Sequence, residues 1–307
     1  MSNELSSPGL SLHEYSDQIK LNEKHSVKTG LISSQKEKIE IIDSLLHALV
    51  LEEGLYDRYI IPVDFKGKRN LLRSLLNIRP PSKIEKSFLK KLDWLLQLEL
   101  CEKKIVVCNE IPSVLKEFNY PDIKNGDSLF LWKGDITCLK ADAIVNAANN
   151  RMLGCFEPLH NCIDNVIHSA AGPLLREDCK VIMDIQNSIE KTGDAKITRA
   201  YNLPSRYVLH TVGPIITGKE VSEIQMHQLA SCYKSCLSLA AQVEGVKSIA
   251  FPCISTGVFN FPQGLAAEIA VKTVDEWLDS NSHNFTHIIF NVFLEEDFSC
   301  YVRVFRR

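Results

Sequence analysis

Hydrophobic positions follow a helical period in the first part of the chain, after a polar beginning. Residues 1–35 are rich in serine, lysine and glutamate and show no hydrophobic period, so we predict that they form a disordered tail. From Gln35 onward, isoleucines and leucines recur at the spacing of one helical face, which predicts a helix. Gly54 is expected to end this helix, because glycine readily adopts the backbone conformation that closes helices.

Two more helical patterns follow in the same region. The leucines of residues 69–77 lie at helical spacing until Pro80-Pro81 interrupts the pattern, and residues 84–103 repeat it. We therefore assign residues 36–126 to a small N-terminal helical module. No group of residues within this module indicates chemistry of its own.

Beyond Gly126 the pattern changes to apolar, β-prone runs that alternate with amphipathic stretches. The strand-like runs are Ser128–Trp132, Ala143–Val145, Ala195–Ala200, Tyr207–Thr211, Ser248–Cys253 and His287–Phe293. The helical stretches are 162–171, 173–190, 222–243 and 262–279. The charged end of the chain after Glu295 is expected to pack as a last helix or strand. Near-continuous apolar strands need cover on both faces, so residues 127–307 are predicted to form a three-layer α/β/α sandwich.

Composition places the chain among ordinary globular proteins and removes several classes of function. It has 307 residues, of which 45% are hydrophobic and 24% charged, with a net charge of −3. So small a net charge gives no general attraction to nucleic acid or to a membrane surface, and we expect neither as a partner. No apolar run approaches the ~18–20 residues that span a bilayer.

Cysteine usage and the N-terminal composition predict a cytoplasmic protein. The ten cysteines are scattered, and several lie in apolar runs, which favours thiols that serve as small buried side chains in a reducing compartment. Residues 1–30 carry acidic side chains among serines and lysines and contain no apolar core. Such a segment is unlike a secretory signal.

A short stretch after the strand-like run Ala143–Val145 holds two thiols and an imidazole. Cys155, His160 and Cys162 have the spacing Cys-x4-His-x-Cys, and Pro158 turns the chain between the first residue and the other two. Thiolates and imidazole are good Zn²⁺ ligands, and three protein ligands leave a fourth position open, as in catalytic zinc sites. The alternative is a loop with two incidental cysteines and an exposed histidine, and the spacing alone leaves both interpretations open.

Two polar residues flank this stretch, and each has two interpretations. Asp164 falls at the start of the predicted helix 162–171, where the helix dipole favours a carboxylate. Beside a metal and a bound sugar, the same carboxylate could orient or deprotonate a water molecule. Asn149 could cap a turn or donate a hydrogen bond to a ribose hydroxyl.

The segment from Ser255 to Phe261 has the character of a phosphate-binding loop. Small residues precede Gly257, and Pro262 follows at the start of a predicted helix, so backbone amides and the helix dipole could hold a pyrophosphate. A tight strand-to-helix turn needs the same residue types. Phe259 and Phe261 could stack on a sugar or a base, although burial in the core is the commoner fate of phenylalanine. In an earlier turn, Asp135 could accept from an exocyclic amine or cap the turn.

Together these segments resemble the macrodomain, an α/β/α module that binds ADP-ribose. The resemblance covers about residues 127–307, and although each matching block is short, the ordered set is highly specific. The blocks are Gly134-Asp135-Ile136-Thr137, Asp142-Ala-Ile-Val-Asn146-Ala-Ala-Asn149, Ile167-His168-Ser-Ala-Ala-Gly172, Gly193-Asp194-Ala-Lys196, His210-Thr-Val-Gly-Pro214 and Ser255-Thr-Gly257-Val-Phe259.

Most macrodomains have a glycine-rich loop after the Asn-Ala-Ala-Asn turn, whereas this chain has Cys155, His160 and Cys162 there. In this it is similar to the zinc-dependent macrodomains, a subclass of protein-ADP-ribose hydrolases that also carries an N-terminal helical extension. Residues 69–97, with Arg79-Pro80, resemble that extension. The resemblance implies one Zn²⁺ per chain, held by the two cysteines and the histidine.

The resemblance also implies roles for the residues that would contact the ligand. Asp135 and the Ile136 backbone would select the adenine. Asn149 would bind the distal ribose beside the metal, and Asp164 occupies the position of the catalytic aspartate of related hydrolases.

The diphosphate would be held by the backbone of residues 255–259, with the last side chain over the distal ribose. The residues concerned are Ser255, Thr256, Gly257, Val258 and Phe259. One departure from the family pattern is Asn260, where glycine is common, and we expect it to change the loop shape modestly.

These roles imply hydrolysis of the bond between the anomeric carbon of the distal ribose and a protein side chain. Asp164 and Asn149 would be the catalytic residues, with Asp164 orienting or activating the attacking water. The implied partners are ADP-ribose, a mono-ADP-ribosylated protein and, by resemblance to microbial relatives, a sirtuin-class ADP-ribosyltransferase and a lipoylated carrier protein. Three rival interpretations stay open: a non-catalytic ADP-ribose reader, an O-acetyl-ADP-ribose deacetylase, and a zinc ion with a purely structural role.

Overall fold

The computed structural model describes residues 9–27, 34–52, 60–118 and 123–306. Its helices are α1 (Leu12–Tyr15), α2 (Gln35–Glu52), α3 (Phe65–Ile78), α4 (Lys86–Cys101), α5 (Val114–Phe118), α6 (Ile163–Ala171), α7 (Pro173–Gln186), α8 (Glu223–Ala240), α9 (Gln263–Ser280) and α10 (Glu295–Val304). Its strands are β1 (Val106–Val107), β2 (Leu129–Lys133), β3 (Leu139–Lys140), β4 (Ala143–Ala148), β5 (Ala195–Arg199), β6 (Tyr207–Val212), β7 (Ser248–Phe251) and β8 (His287–Val292). Short 3₁₀ helices span Cys108–Glu110 and Ile136–Cys138.

One mixed sheet forms the centre of the fold, with the strand order β2-β8-β7-β4-β6-β5. Strands β2, β8, β7, β4 and β6 run parallel to their neighbours, and β5 pairs antiparallel with β6 at one edge. The carboxyl ends of the parallel strands therefore meet along one side of the sheet. This is the side on which open α/β sheets bind their ligands.

Side chains alternate along the strands between two apolar layers. In β2, Leu129 and Leu131 belong to the larger core, which includes α8, α9 and α10, whereas Phe130 belongs to the smaller core with α6 and the start of α7. Because helices cover both faces, the central strands β4, β6, β7 and β8 bury almost all side chains of both sets. The predicted three-layer α/β/α sandwich is confirmed.

The N-terminal segment differs from its prediction. The expectation of a disordered tail over residues 1–35 is wrong for residues 9–27, and most of the remaining tail lies outside the described residues. The Tyr15 hydroxyl accepts a hydrogen bond from Ile197 N at 3.0 Å, which gives the edge strand β5 a partner on its open side. Three apolar side chains of the segment are buried in the larger core, namely Tyr15, Ile19 and Leu21. These contacts order the segment.

Helices α2, α3 and α4 pack around a small core of their own, built from leucines and isoleucines together with Phe88. They match the predicted helical patterns, and the expected stop at Gly54 lies outside the described residues. The helical part is shorter than the predicted module of residues 36–126, because α4 ends at Cys101. After that point β1 pairs with β3, and Val114 of α5 is buried in the larger core, so this stretch belongs to the sheet domain.

The strands and helices of the sheet domain lie where the hydrophobic pattern predicted them, with shifts of a few residues at their ends. The charged end after Glu295 forms the helix α10. None of the helices in the described ranges combines enough length with enough apolar character to cross a bilayer.

Candidate active site

The predicted site residues lie just beyond the carboxyl ends of parallel strands. Asp135 follows β2, Asn149 follows β4, and Ser255 comes after β7. Gly213 follows β6, which lies next to β4 in the sheet. The fold therefore brings blocks that are far apart in sequence to one side of the sheet.

The Cys–His loop (residues 155–162) brings three metal-ligating side chains together. The ligand atoms of Cys155, His160 and Cys162 all lie within 4.8 Å of one another, and Cys155 Sγ is 3.6 Å from His160 Nδ1. A tetrahedral Zn²⁺ with bonds of about 2.3 Å to sulfur and about 2.0–2.1 Å to nitrogen sets those two atoms about 3.6 Å apart. Within the described ranges no fourth His, Cys, Asp or Glu joins the group, so the residues present fit a zinc ion with an open position.

Cys162 is also the N-cap of α6, where its sulfur accepts a hydrogen bond from Asn165 N at 3.4 Å. Burial, together with the charges of Cys155 and Asp164, raises the pKa of the Cys162 thiol to about 12. A cation between the two sulfurs opposes all of these causes, because metal ligation stabilises the thiolate. Two thiols and an imidazole are a donor set that suits Zn²⁺.

Asp164 lies beneath this loop and is only 4% exposed. Its Oδ1 accepts a hydrogen bond from Asn146 Nδ2 at 2.8 Å, and its Oδ2 accepts one from Asn149 Nδ2 at 3.2 Å. Burial raises the pKa of Asp164 to about 6, although both amide hydrogen bonds work against this rise. Asn149 is half-buried and also caps its own turn, since it donates to Gly154 O at 3.0 Å and accepts from Arg151 N. The Asn149 side chain therefore links Asp164 to the turn that follows β4.

Two buried histidines lie next to this carboxylate. His168 Nε2 is 3.5 Å from Asp164 Oδ1, and His210 Nδ1 is 3.2 Å from Asn146 Nδ2. Burial lowers the pKa of His210 to about 3 and the pKa of His168 well below its ordinary value. The ligand atoms of His168, His210 and Cys179 also lie within 4.8 Å of one another, and burial raises the pKa of the Cys179 thiol well above its ordinary value. This second group is enclosed in the core, whereas Cys155, His160 and Cys162 are only partly buried.

The Ser–Gly loop (residues 255–261) connects β7 to α9 and closes on itself. Phe261 N donates to Ser255 O at 2.9 Å, and Asn260 N donates to Gly257 O at 3.0 Å. Ser255 and Asn260 have φ angles of 67° and 57°, in the left-handed region. Asparagine tolerates that region better than most residues, which explains how Asn260 replaces the glycine common in related loops.

Gly213 allows the Ser–Gly loop to lie close to the end of β6. A Cβ added to Gly213 would lie 2.0 Å from Ser255 Oγ, a distance that no side chain tolerates. The Ser255 hydroxyl is buried, and no hydrogen-bond partner for it exists in the described part of the chain. A buried hydroxyl without a partner costs about 1–3 kcal/mol, so an oxygen-rich ligand at this loop would gain a ready donor.

The crest of the Ser–Gly loop faces solvent. A Cβ added to Gly257 would meet no atom within 4 Å, and the Val258 side chain is 66% exposed. Thr256 Oγ1 donates to the backbone at the start of the loop, and Phe259 is half-buried. Phe261 is 1% exposed, so it is a core residue and does not stack on a ligand. At Gly257 the loop thus leaves its backbone open to solvent.

Asp135 caps the 3₁₀ helix that follows β2, since its Oδ1 accepts from Thr137 N at 3.0 Å and from Thr137 Oγ1 at 2.7 Å. Burial works to raise the pKa of Asp135, but the Thr137 hydrogen bonds and Lys103 outweigh it, and the pKa is lowered. Asp135 Oδ2 lies 3.5 Å from Lys103 Nζ. Ile136 is buried, so it can offer a ligand its backbone only.

The polar residues that support the Cys–His loop were not predicted from the sequence. Asn165 Nδ2 donates to Glu157 O at 2.9 Å, and Arg73 of α3 donates to Asn165 Oδ1 at 2.7 Å. Asn77, also on α3, contacts the loop as well. Arg73 and Asn77 are four positions apart on a helix and therefore share a face. This polar pair within a leucine-rich helix is the signal in the sequence that could have identified them.

Comparison with known proteins agrees with this geometry. Residues 145–270 match the family model described as Macro domain. The chain is 49% identical over 257 residues to the protein-ADP-ribose hydrolase of Treponema medium, covering 84% of this chain and 95% of the relative. It is 41% identical over 276 residues to the protein-ADP-ribose hydrolase of Staphylococcus aureus (strain MRSA252), covering 90% and 98%.

A solved structure gives the same result. The crystal structure of the Trypanosoma brucei macrodomain in complex with ADP-ribose matches with a TM-score of 0.56 and 31% identity. The match covers 76% of this chain and 94% of that one. With its six-stranded mixed sheet between helices and these near full-length relatives, the chain belongs to the macrodomain family.

Proposed function

We propose that this protein is a zinc-dependent hydrolase that removes mono-ADP-ribose from modified proteins by cleavage at the anomeric carbon of the distal ribose. The observation that carries the proposal is that the ligand atoms of Cys155, His160 and Cys162 all lie within 4.8 Å of one another, on the side of the sheet that also holds the Ser–Gly loop. The names of relatives that match 84% and 90% of the chain support a protein-ADP-ribose hydrolase. The Trypanosoma brucei complex supports ADP-ribose as the ligand.

The two ends of the ligand are held by different parts of the chain. Asp135, with the Ile136 backbone, binds the adenine, while the backbone amides of residues 255–259 and the positive end of α9 bind the diphosphate. Cys155, His160 and Cys162 would hold Zn²⁺, which would supply a Lewis acid beside the distal sugar. Fixing the sugar in this way removes much of the entropic cost of reaching the reactive geometry.

Asn149 and Asp164 act at the reacting sugar. In the structure the Asn149 amide is bonded to Asp164 Oδ2. When Asn149 turns to a hydroxyl of the distal ribose, Asp164 Oδ2 becomes available to orient the attacking water. The water oxygen bonds to the anomeric carbon while the bond to the protein side chain breaks, and the leaving side chain takes up a proton.

A time course with a mono-ADP-ribosylated protein tests the proposal. Release of free ADP-ribose is followed by mass spectrometry with the purified enzyme, after treatment with a zinc chelator, and after zinc is added back. We expect release to stop with the chelator and to return with zinc. Tight binding of ADP-ribose without release by the zinc-loaded enzyme would instead identify a reader module.

Two further measurements distinguish a deacetylase and a structural zinc ion from the proposed hydrolase. Parallel incubation with O-acetyl-ADP-ribose measures esterase activity, and faster turnover of that ester than of the modified protein would make the chain a deacetylase. A structural zinc ion predicts a different pattern. At every chelator concentration, the fraction of activity lost would then equal the fraction of protein that has unfolded.

We also propose that the protein is located in the cytoplasm. All ten cysteines are free thiols, as expected of a protein in a reducing compartment. The sirtuin-class ADP-ribosyltransferase and the lipoylated carrier protein stay predictions, which co-purification from cells and activity on a modified carrier would test.

A further inference from the structure

The backbone of the dipeptide Leu159-His160 is held at both of its ends by α3 of the helical module. Leu159 N donates to Asn77 Oδ1 at 3.1 Å, and Arg73 Nη2 donates to His160 O at 3.2 Å. Both contacts join residues more than 80 positions apart, with separations of 82 and 87. The backbone on each side of the metal-ligating histidine is thus fixed by another part of the chain.

Leu159 needs this support because its backbone is strained. Its φ angle is 57°, in the left-handed region that branched L-residues rarely adopt. Asn77, by contrast, is 2% exposed and well placed, since its Nδ2 also donates to Ser169 Oγ in α6 at 3.1 Å. A buried amide fixed at both of its ends is a rigid support for a strained peptide.

Arg73 extends the support to the rest of the Cys–His loop. It donates to Asn165 Oδ1 at 2.7 Å, and Asn165 Nδ2 in turn donates to Glu157 O at 2.9 Å and to Cys155 O at 3.4 Å. Arg73 therefore contacts the backbone at His160 directly, and it reaches the backbone at Cys155 and Glu157 through the Asn165 amide.

We propose that Asn77 and Arg73 are positioning residues that hold the Cys–His loop in its metal-ligating conformation, so that the helical module sets the metal affinity of the site. This inference rests on the proposed function, because it concerns the same metal. The module is then part of the active site rather than only a brace or a surface for the modified protein. Groups that orient metal ligands without touching the metal typically change metal affinity by about 10–100-fold.

Zinc affinity measured against a chromogenic chelator tests the proposal without any activity measurement. The variants are Asn77→Ala and Arg73→Gln, with Gln97→Ala as the matched control. Gln97 lies on α4 of the same module and donates two hydrogen bonds across to Asn202, at 3.0 and 3.1 Å, away from the loop. We expect zinc affinity to fall about 10–100-fold in the two α3 variants and to stay at the wild-type value in Gln97→Ala.

The visible spectrum of bound Co²⁺ gives a second readout, because its intensity reports tetrahedral geometry. Weakened affinity in Asn77→Ala and Arg73→Gln, with a less intense Co²⁺ spectrum, supports the proposal. Wild-type affinity in both variants overturns it, as does an equal loss in Gln97→Ala. If Asn77→Ala does not fold, Arg73→Lys against Arg73→Gln decides, since lysine keeps a long, charged donor for His160 O and glutamine offers only a shorter, neutral one. A wild-type protein that binds no zinc is a separate result and contradicts the proposed function itself.

Discussion

The two loops of the site are built in different ways. The Ser–Gly loop closes on itself through the Ser255–Phe261 and Gly257–Asn260 hydrogen bonds, and it follows directly from a buried strand. The Cys–His loop carries its own strain at Leu159 and depends on Asn77 and Arg73 of a separate helical module. One half of the site is therefore built within the sheet domain, where Ile216 N also donates to Phe259 O at 2.9 Å, and the other half needs contacts from the helical module.

This difference has a functional consequence. Affinity for the nucleotide should depend on the Ser–Gly loop, while the chemical step should depend on the Cys–His loop and its supports. Changes in the Ser–Gly loop should then alter nucleotide binding with little effect on metal content. Changes in the Cys–His loop should alter turnover with little effect on nucleotide binding. Each of the following variants tests that separation.

Loss of a metal ligand should give the largest difference between the effect on turnover and the effect on nucleotide binding. In Cys162→Ser, we expect hydrolysis to fall about 1,000-fold or more, because a bound metal supplies several kcal/mol of transition-state stabilisation. ADP-ribose affinity, measured by calorimetry, should change little. Cys101→Ser is the control, since that thiol is exposed on α4. A comparable loss of affinity and turnover would mean that the two loops form one unit.

Asp164→Ala should affect turnover more than binding. We expect the rate of ADP-ribose release to fall about 100-fold, the size of a typical general acid–base contribution, while the Kd for ADP-ribose stays near the wild-type value. Initial rates and calorimetry on the same preparation measure both quantities, and Asp164→Asn serves as the variant of nearly equal volume. Equal losses of rate and affinity would make Asp164 a binding residue.

Gly213→Ala should act on the other loop. The added methyl group would lie 2.0 Å from Ser255 Oγ and 2.9 Å from Ile254 Cγ2, so these two side chains at the start of the Ser–Gly loop must move. Overpacking of this kind costs about 1–3 kcal/mol, and we expect a roughly tenfold loss of ADP-ribose affinity with unchanged zinc content. Gly218→Ala, at an exposed position, is the matched control, because its added Cβ meets only Glu220 O, at 3.8 Å. Lost zinc in Gly213→Ala would contradict the separation.

Low pH should lower the free energy of unfolding through a histidine in the core beneath both loops. His210 lies in β6, and burial lowers its pKa from 6.5 to about 3. Between these values the unfolded chain binds a proton that the folded chain does not, so His210 makes the free energy of unfolding fall as the pH falls, by about 1.4 kcal/mol per unit. Urea unfolding at pH 7 and pH 5 should show this slope reduced in His210→Gln. An equal slope in both proteins would show that His210 is protonated in the folded state.

Much of the fold was predictable because its strands are apolar on both faces. Runs such as residues 248–253 and 287–293 have few other stable fates than a covered parallel sheet. The N-terminal segment was not predictable, because a helix of four residues has no period to detect. Its order comes from the contact between Tyr15 and Ile197, which are 182 positions apart.

The candidate site shows the same division. The spacing of Cys155, His160 and Cys162 within a short stretch indicated a metal site, because nearby ligands on one loop must lie close in space. Neither the burial of Asp164 nor the role of Arg73 could be inferred in this way. Both follow from packing between elements that the sequence does not place relative to one another, α3 against α6 and β4 against α6.

The zinc content of freshly purified protein tests the central claim most directly. We predict one zinc ion per chain by inductively coupled plasma mass spectrometry in the wild-type protein. Cys162→Ser, purified in parallel, should contain none. Wild-type protein that contains no zinc and still releases ADP-ribose at its full rate would contradict the proposed zinc-dependent mechanism.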